Sequence, residues 1–395
     1  MNYTFSDRIS SLQPSAIREI LKFTADPKVI SFAAGNPAPE AFPVEAVKKI
    51  TQQILNDDPI GALQYSISEG YTPLRDELLK LMKNKYNIGT VDDNLIVVSG
   101  AQQGVELACK CLCNEGDTVI CESPSFIGSL NALRSYNVNL VGINMEPDGI
   151  NIEKLEAALK TEKNVKALYL IPNFQNPTGI TMSFEKRKAV YELAKKYRVI
   201  IIEDNPYGDL RFRGEDIPAI KTLDDSGIVI YCGSFSKILA PGIRVGFVVA
   251  NNSVISKLTV AKQVSDVHSN ILAQMICYKF ITEYDLFEHI ANIKKIYENK
   301  CMLMESLLDE KVNPKIKHTR PDGGLFIWCT LPEQTDMMAF CKRVVMKNVA
   351  VVPGNAFTAK ETDKTTSFRI NFSTPTDDQI RKGVEILGEI SYETL

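Results

Sequence analysis

A lysine that attacks a carbonyl must lose its proton near neutral pH, which calls for a partly apolar setting. The stretch GSFSKILAPGIRVGF, residues 233–247, is a candidate for such a setting around Lys237. Ser234 and Ser236 flank an aromatic just before it, and Arg244 follows on a glycine-rich loop. Two hydroxyls and a guanidinium together make a clamp for a phosphate. For a lysine taken alone, a solvated surface position is the ordinary expectation; the neighbours argue against it.

Four further stretches carry groups of the same kind. In SGAQQG, residues 99–104, Gly100 allows a tight turn into a helix. The free N–H groups and positive dipole end of that helix suit an anion. It has neither the P-loop lysine nor the dinucleotide fingerprint, and an ordinary strand-to-helix turn reads the same way. NFQNPTG, residues 173–179, is rich in turn-forming pairs. It reads either as a surface turn or as a loop presenting the Asn176 amide to a site. EDNPYG, residues 203–208, follows an apolar run, so Asp204 is partly buried and needs a positive partner or several donors; a helix N-cap is the alternative. In SFRINFS, residues 367–373, Arg369 interrupts an apolar strand. It suits a ligand carboxylate held by two parallel bonds, or else a structural ion pair.

These groups need elements to hold them. LIVVSG, TVICES, ALYLIP, VIIIED, IVIYCG and VGFVVA read as short buried strands. Helical stretches alternate with them, at 102–113 and at 183–197, where Val190, Leu193, Ala194 and Tyr197 share one side. The alternation predicts an α/β fold with a mostly parallel central sheet, and ligands at the carboxyl ends of its strands. Beyond about residue 254 the pattern turns to long helices, then to strands in GGLFIWCTL, NVAVVPG and SFRINFS with helices at 336–346 and 377–390. That predicts a smaller α+β domain. The expected division is 1–45 joining the small domain, 46–285 as the large domain and 286–395 as the small C-terminal domain.

The 395 residues are 45% apolar, enough for a large core, and the formal charge of −3 argues against nucleic acid as the main partner. Nine scattered cysteines and a polar N-terminus without an apolar signal region point to a reducing, cytoplasmic location. No apolar run is long enough to predict a membrane span. CKCLC, residues 109–113, lies in a helical stretch without a nearby histidine, and core-filling cysteines explain it better than a metal site.

NPTG, D-x-P-Y, S-x-S-K with its downstream R-x-G, and a C-terminal arginine stand here in one order. In this the chain resembles the class I/II aminotransferases of PLP-dependent transferase fold type I over essentially its whole length. The resemblance implies pyridoxal 5'-phosphate held by Lys237 as a Schiff base, with Lys237 also moving protons. Asp204 would pair with the pyridine nitrogen, Tyr207 and Asn176 would bond the phenolic oxygen, and Pro206 would pack beneath the ring. Ser99, Gly100, Ala101, Gln102, Ser234, Ser236 and Arg244 would form the phosphate cradle. Arg369 would anchor the substrate α-carboxylate, assisted by Asn176 and Gly35. Tyr65 matches a tyrosine that reaches the neighbouring subunit's cofactor, which implies a homodimer with a shared active site; core packing is its alternative. Phe126 stands where the ring-stacking residue is commonly tyrosine, so stacking is kept without the hydroxyl.

The opening PSAIREIL with SFAAGNPAPEAFP resembles the 2-aminoadipate and kynurenine aminotransferase group. Arg18 matches an arginine that meets a substrate's side-chain carboxylate there, an exposed helix arginine being the alternative. The implied reaction is ping-pong transfer of an amino group from 2-aminoadipate, glutamate, aromatic or aliphatic amino acids to a 2-oxo acid such as 2-oxoglutarate. A C–S β-lyase on the same fold is the runner-up. A non-catalytic cofactor-binding sensor ranks below both, because Lys237, Asp204 and Arg369 are all kept.

Overall fold

Runs of aliphatic and β-branched residues with no polar alternation must be covered on both faces. In the computed structural model, which describes residues 3–10, 12, 26, 28–360 and 363–395, these runs form the middle of one sheet. In chain order the strands are β1 (Ile30–Ser31), β2 (Asp93–Val98), β3 (Thr118–Ser123), β4 (Asn139–Glu146), β5 (Gly149–Ile150), β6 (Val165–Leu170) and β7 (Ile200–Asn205). They continue with β8 (Val229–Ser234), β9 (Gly246–Asn251), β10 (Lys317–His318), β11 (Phe326–Thr330), β12 (Val349–Ala350), β13 (Val352–Pro353) and β14 (Ser367–Asn371).

The large sheet runs β2-β9-β8-β7-β6-β3-β4-β5. Neighbours from β8 to β4 are parallel, and β9 lies antiparallel to both β8 and β2. The expected helix at 183–197 spans Phe184–Tyr197: Ser183 caps it, its hydroxyl accepting from the Lys186 N–H. Such a cap stabilises a helix by about 1 kcal/mol. Val190, Tyr191 and Ala194 are buried on its inner face, while Leu193 and Tyr197 are half-buried at its edge.

Three helices, Asn252–Gln263, Ile271–Glu283 and Leu286–Lys311, follow the sheet. A second, antiparallel sheet runs β10-β11-β14-β13, and helix Asp377–Thr394 packs on Leu286–Lys311. Strand β1 pairs in parallel with β12, so residues just before Ala33–Gly35 are tied to the C-terminal part of the chain. Cys109 is buried in helix Ala101–Leu112 and Cys113 ends it, as core-filling residues would. Among the described residues no helix is long and apolar enough to cross a membrane.

Candidate active site

Because β6, β7 and β8 are parallel neighbours, the loops leaving their carboxyl ends meet at one edge of the sheet. Asp204 lies in β7 opposite Cys232 of β8, so it is a strand residue and not a helix cap. It is 4% exposed, and its Oδ2 accepts from the Tyr169 hydroxyl at 2.8 Å. Its Oδ1 has no partner among the described residues. Burial raises the carboxyl to about 6, against the pull of the Tyr169 bond. Sequence reasoning missed Tyr169. The signal was a tyrosine inside the aliphatic run ALYLIP, whose buried hydroxyl had to find a partner.

The loop after β6 is no surface turn, because residues 171–179 are all buried. The Asn176 amide nitrogen faces the Tyr207 hydroxyl at 3.4 Å, and its Oδ1 accepts from Arg369 Nη1 at 2.7 Å. Arg369, on β14, is 3% exposed and also donates through Nη2 to the Ala33 carbonyl at 2.6 Å. Its guanidinium lies 4.2 Å from the Phe326 ring centre and 5.0 Å from that of Phe357. Both acceptors are neutral, which sets aside the structural ion pair. Burial lowers its pKa to about 10, and Nε has no partner among the described residues.

Lys237 follows β8, half-buried, and donates from Nζ to the Gly35 carbonyl at 2.7 Å. Burial, then the positive charges of Arg369 and Arg244, press its pKa down to about 8. The solvated-surface reading therefore fails. Gly35 offers the site its carbonyl, with the Phe326 ring 3.0 Å from where a Cβ would stand.

At the other end, helix Ala101–Leu112 begins at Gly100, with φ +81° and no capping side chain. Arg244 crosses this turn, donating from Nη2 to the Ser99 carbonyl at 3.0 Å and from Nη1 to the Ser236 hydroxyl at 3.3 Å. A Cβ on Gly100 would stand 2.2 Å from that Nη2. Ser234 accepts from the Ser236 N–H at 3.1 Å. Ala101 is buried beside them, and Gln102 is held by the Gly128 carbonyl at 2.9 Å. The Ser99 hydroxyl is turned away from this turn, to Asp266 at 3.0 Å and Ser269 at 3.1 Å, and its carbonyl is the group that accepts from Arg244. Behind it, fully buried Lys262 ties Asp266, Gln103 and Ser269 together, a support that sequence reasoning also missed.

Phe126 is half-buried over Gly128, where a Cβ would meet its ring at 2.6 Å. Pro206, half-buried, sits between Asp204 and Tyr207. Tyr65 is 81% exposed, with its ring against the edge of His268, so it packs no core. Arg18 lies outside the described residues.

The family model "Aminotransferase class I and II" matches residues 27–387, and the chain belongs to that family. It is 40% identical over 395 residues to Aromatic-amino-acid aminotransferase 1 of Thermococcus litoralis, covering 99% of this chain and 94% of that one. It is 35% identical over 387 residues to the 2-aminoadipate transaminase of Thermus thermophilus, covering 97% and 95%. The crystal structure of Pyrococcus horikoshii kynurenine aminotransferase, in complex with PMP, is similar with a TM-score of 0.95 at 38% identity, covering 99% and 97%. The fold is PLP-dependent transferase fold type I, and the protein is an aminotransferase whose cofactor is pyridoxal phosphate.

The residues fit that group. Asp204 Oδ1, a buried acceptor without a protein partner, is what a protonated ring nitrogen requires. The uncapped helix start with Arg244, Ser234 and Ser236 suits a phosphate. A lysine held at about 8 suits imine formation with an aldehyde.

Proposed function

We propose that this chain moves an amino group between an L-amino acid with an acidic, aromatic or aliphatic side chain and a 2-oxo acid such as 2-oxoglutarate, in two half-reactions. The observation that carries this reading is the convergence of Lys237, Asp204 and Arg369 from three separate elements. Pyridoxal phosphate supplies an electron-withdrawing ring and an aldehyde carbon that takes up the amine. Asp204, buried and ionised above about pH 6, keeps the ring nitrogen protonated. Ser234, Ser236, Arg244 and the N–H groups at Gly100–Gln102 hold the phosphate. Tyr207 and Asn176 orient the ring's phenolic oxygen, Phe126 covers one face, and Pro206 packs beneath.

Arg369 binds the α-carboxylate, with Asn176 and Gly35 fixing its direction. The Lys237 amine would take the proton from the substrate's Cα, and at a pKa of about 8 it is poised both to hold that proton and to give it back. Arg18 is the proposed partner of an acidic side chain. Activity of Arg18→Ala toward glutamate and leucine in wild-type ratio would sink that assignment.

The proposal includes a homodimer in which Tyr65 reaches its partner's phosphate site. Its support is that Ile60, Leu63, Tyr65 and Val264 are apolar or aromatic side chains each more than 70% exposed, which a partner subunit would cover. It also includes a cytoplasmic location and the division at 45/46 and 285/286. The test is spectroscopic. Protein loaded with pyridoxal phosphate should show a visible band that shifts on adding an amino donor and disappears in Lys237→Ala. A band unchanged in that variant overturns the reading.

A further inference from the structure

A second cavity, of about 580 Å³, opens behind the β7 end of the site. That volume falls in the range of small-molecule pockets. Its walls are helix Leu286–Lys311, the turn after helix Thr72–Tyr86 and residues 208–222. Neither Lys237, Arg244 nor Arg369 lines it.

Its floor contains Arg211, which is 6% exposed. The guanidinium stacks over Phe174 at 4.8 Å and donates from Nη1 only to the Arg213 carbonyl, at 3.2 Å. Asp216 and Asp322 stand at 3.7 and 3.8 Å, too far for hydrogen bonds, and Nη2 has no partner among the described residues. A buried guanidinium short of acceptors is costly, and a carboxylate is the ligand that removes the cost. Beside it, Tyr231 accepts from Asn205 at 2.8 Å, and its own hydrogen goes to none of the described residues.

Charge around the cavity is balanced: Lys85, Lys294 and Arg211 stand with Asp209, Asp216 and, 3.8 Å from Arg211, Asp322. Asp209 is already bonded by the Tyr86 hydroxyl at 2.6 Å, and Asp216 lies in solvent at the rim. Phe184, Phe287 and Ile290 supply apolar surface for a compact body. We propose that this cavity is a second ligand site, separate from the catalytic one, for a small organic monocarboxylate with an aliphatic or aromatic body. The wall between the two sites is thin: Asn173 donates to Asn205 at 2.8 Å, and these residues stand three before Asn176 and next to Asp204. A ligand bonded to Tyr231 would therefore press on both catalytic loops.

The probe is 3-phenylpropanoate, which carries neither the amino nor the 2-oxo group that the reaction needs. Calorimetric titration of the holoenzyme should find two molecules per chain. Arg369→Gln should remove one and Arg211→Gln the other. Lys294→Glu, a change at the rim that keeps kcat and the melting temperature, should weaken the second at least tenfold, and it decides the matter if Arg211→Gln does not fold. A single molecule lost in Arg211→Gln but kept in Arg369→Gln supports this site and counts against the carboxylate role of Arg369. A single molecule lost only in Arg369→Gln, or a second one untouched by both Arg211→Gln and Lys294→Glu, overturns the proposal.

Discussion

The proton on Lys237 should control how fast the protein takes up its cofactor. An ordinary lysine, with a pKa near 10.5, is neutral in about one molecule in a thousand at pH 7.5. Held at about 8, Lys237 is neutral in a fraction 1/(1 + 10^0.5), about one in four. The setting thus raises the reactive form by about two orders of magnitude. A depressed pKa moves the appearance of the neutral amine to lower pH, so uptake rises about five- to sixfold from pH 7 to pH 8, about twofold more above it, and then levels. The assay is stopped-flow growth of the visible band after mixing cofactor-free protein with pyridoxal phosphate between pH 7 and 10. The causes separate by mutation. Arg369→Gln removes a nearby positive charge, and the inflection should move upward; burial, the largest cause, stays and keeps it below 10.5. An inflection at 10 or above in the wild-type protein would refute the account of Lys237 as a desolvated amine.

Three other outcomes follow from the same geometry. Gly100→Ala places a Cβ 2.2 Å from Arg244 Nη2 at φ +81° and ψ 159°, a region essentially reserved for glycine that costs about 1–3 kcal/mol in backbone strain alone; the cofactor dissociation constant should rise at least tenfold, and an unchanged value would show that Arg244 does not hold the phosphate. Tyr169→Phe removes a hydrogen bond to a charged group worth about 1.5–3 kcal/mol, so Asp204 should titrate about one to two units above its present value of about 6. Cofactor affinity should then fall at pH 7 and recover by pH 9, whereas a loss equal at both would mean mere structural damage. If Tyr65 serves the partner's site, mixing Tyr65→Ala with Lys237→Ala protein and allowing subunits to exchange should raise activity above the mean of the two parents; no rise would place Tyr65 outside the partner's site.

The strands that form the core of the large sheet were legible because each is a continuous apolar run, Gly100 marked a helix start by type, and the helix at 183–197 showed in the spacing of its apolar residues. Burial of loops was not legible. NFQNPTG has the composition of a surface turn, yet Gln175 buries it by bonding Thr178 within the loop and Pro124 and Glu122 across the sheet edge. Arg369 shows the same limit: its acceptors lie 193 and 336 positions away, so local sequence left ion pair and ligand anchor equally open. The Ser99 hydroxyl could not be assigned without Asp266, which reaches it from a helix end 167 positions later.

At the catalytic site two buried polar atoms lack protein partners among the described residues, and they are of opposite sign: Asp204 Oδ1 and Arg369 Nε. Each is expensive in a folded chain, since burying an unmatched polar group costs about 1–3 kcal/mol and more when it is charged. Both sit in side chains already fixed, Asp204 by Tyr169 and Arg369 by Asn176, Ala33 and two aromatic rings. Neither can therefore relax toward a substitute acceptor or donor. In the function proposed above, a protonated ring nitrogen answers the first and an α-carboxylate the second. Asn176 joins the two ends, accepting from Arg369 and facing the Tyr207 hydroxyl. In that proposed function, a carboxylate that draws Arg369 would also shift Asn176 and its contact with the Tyr207 hydroxyl, a physical route from substrate binding to the reacting centre.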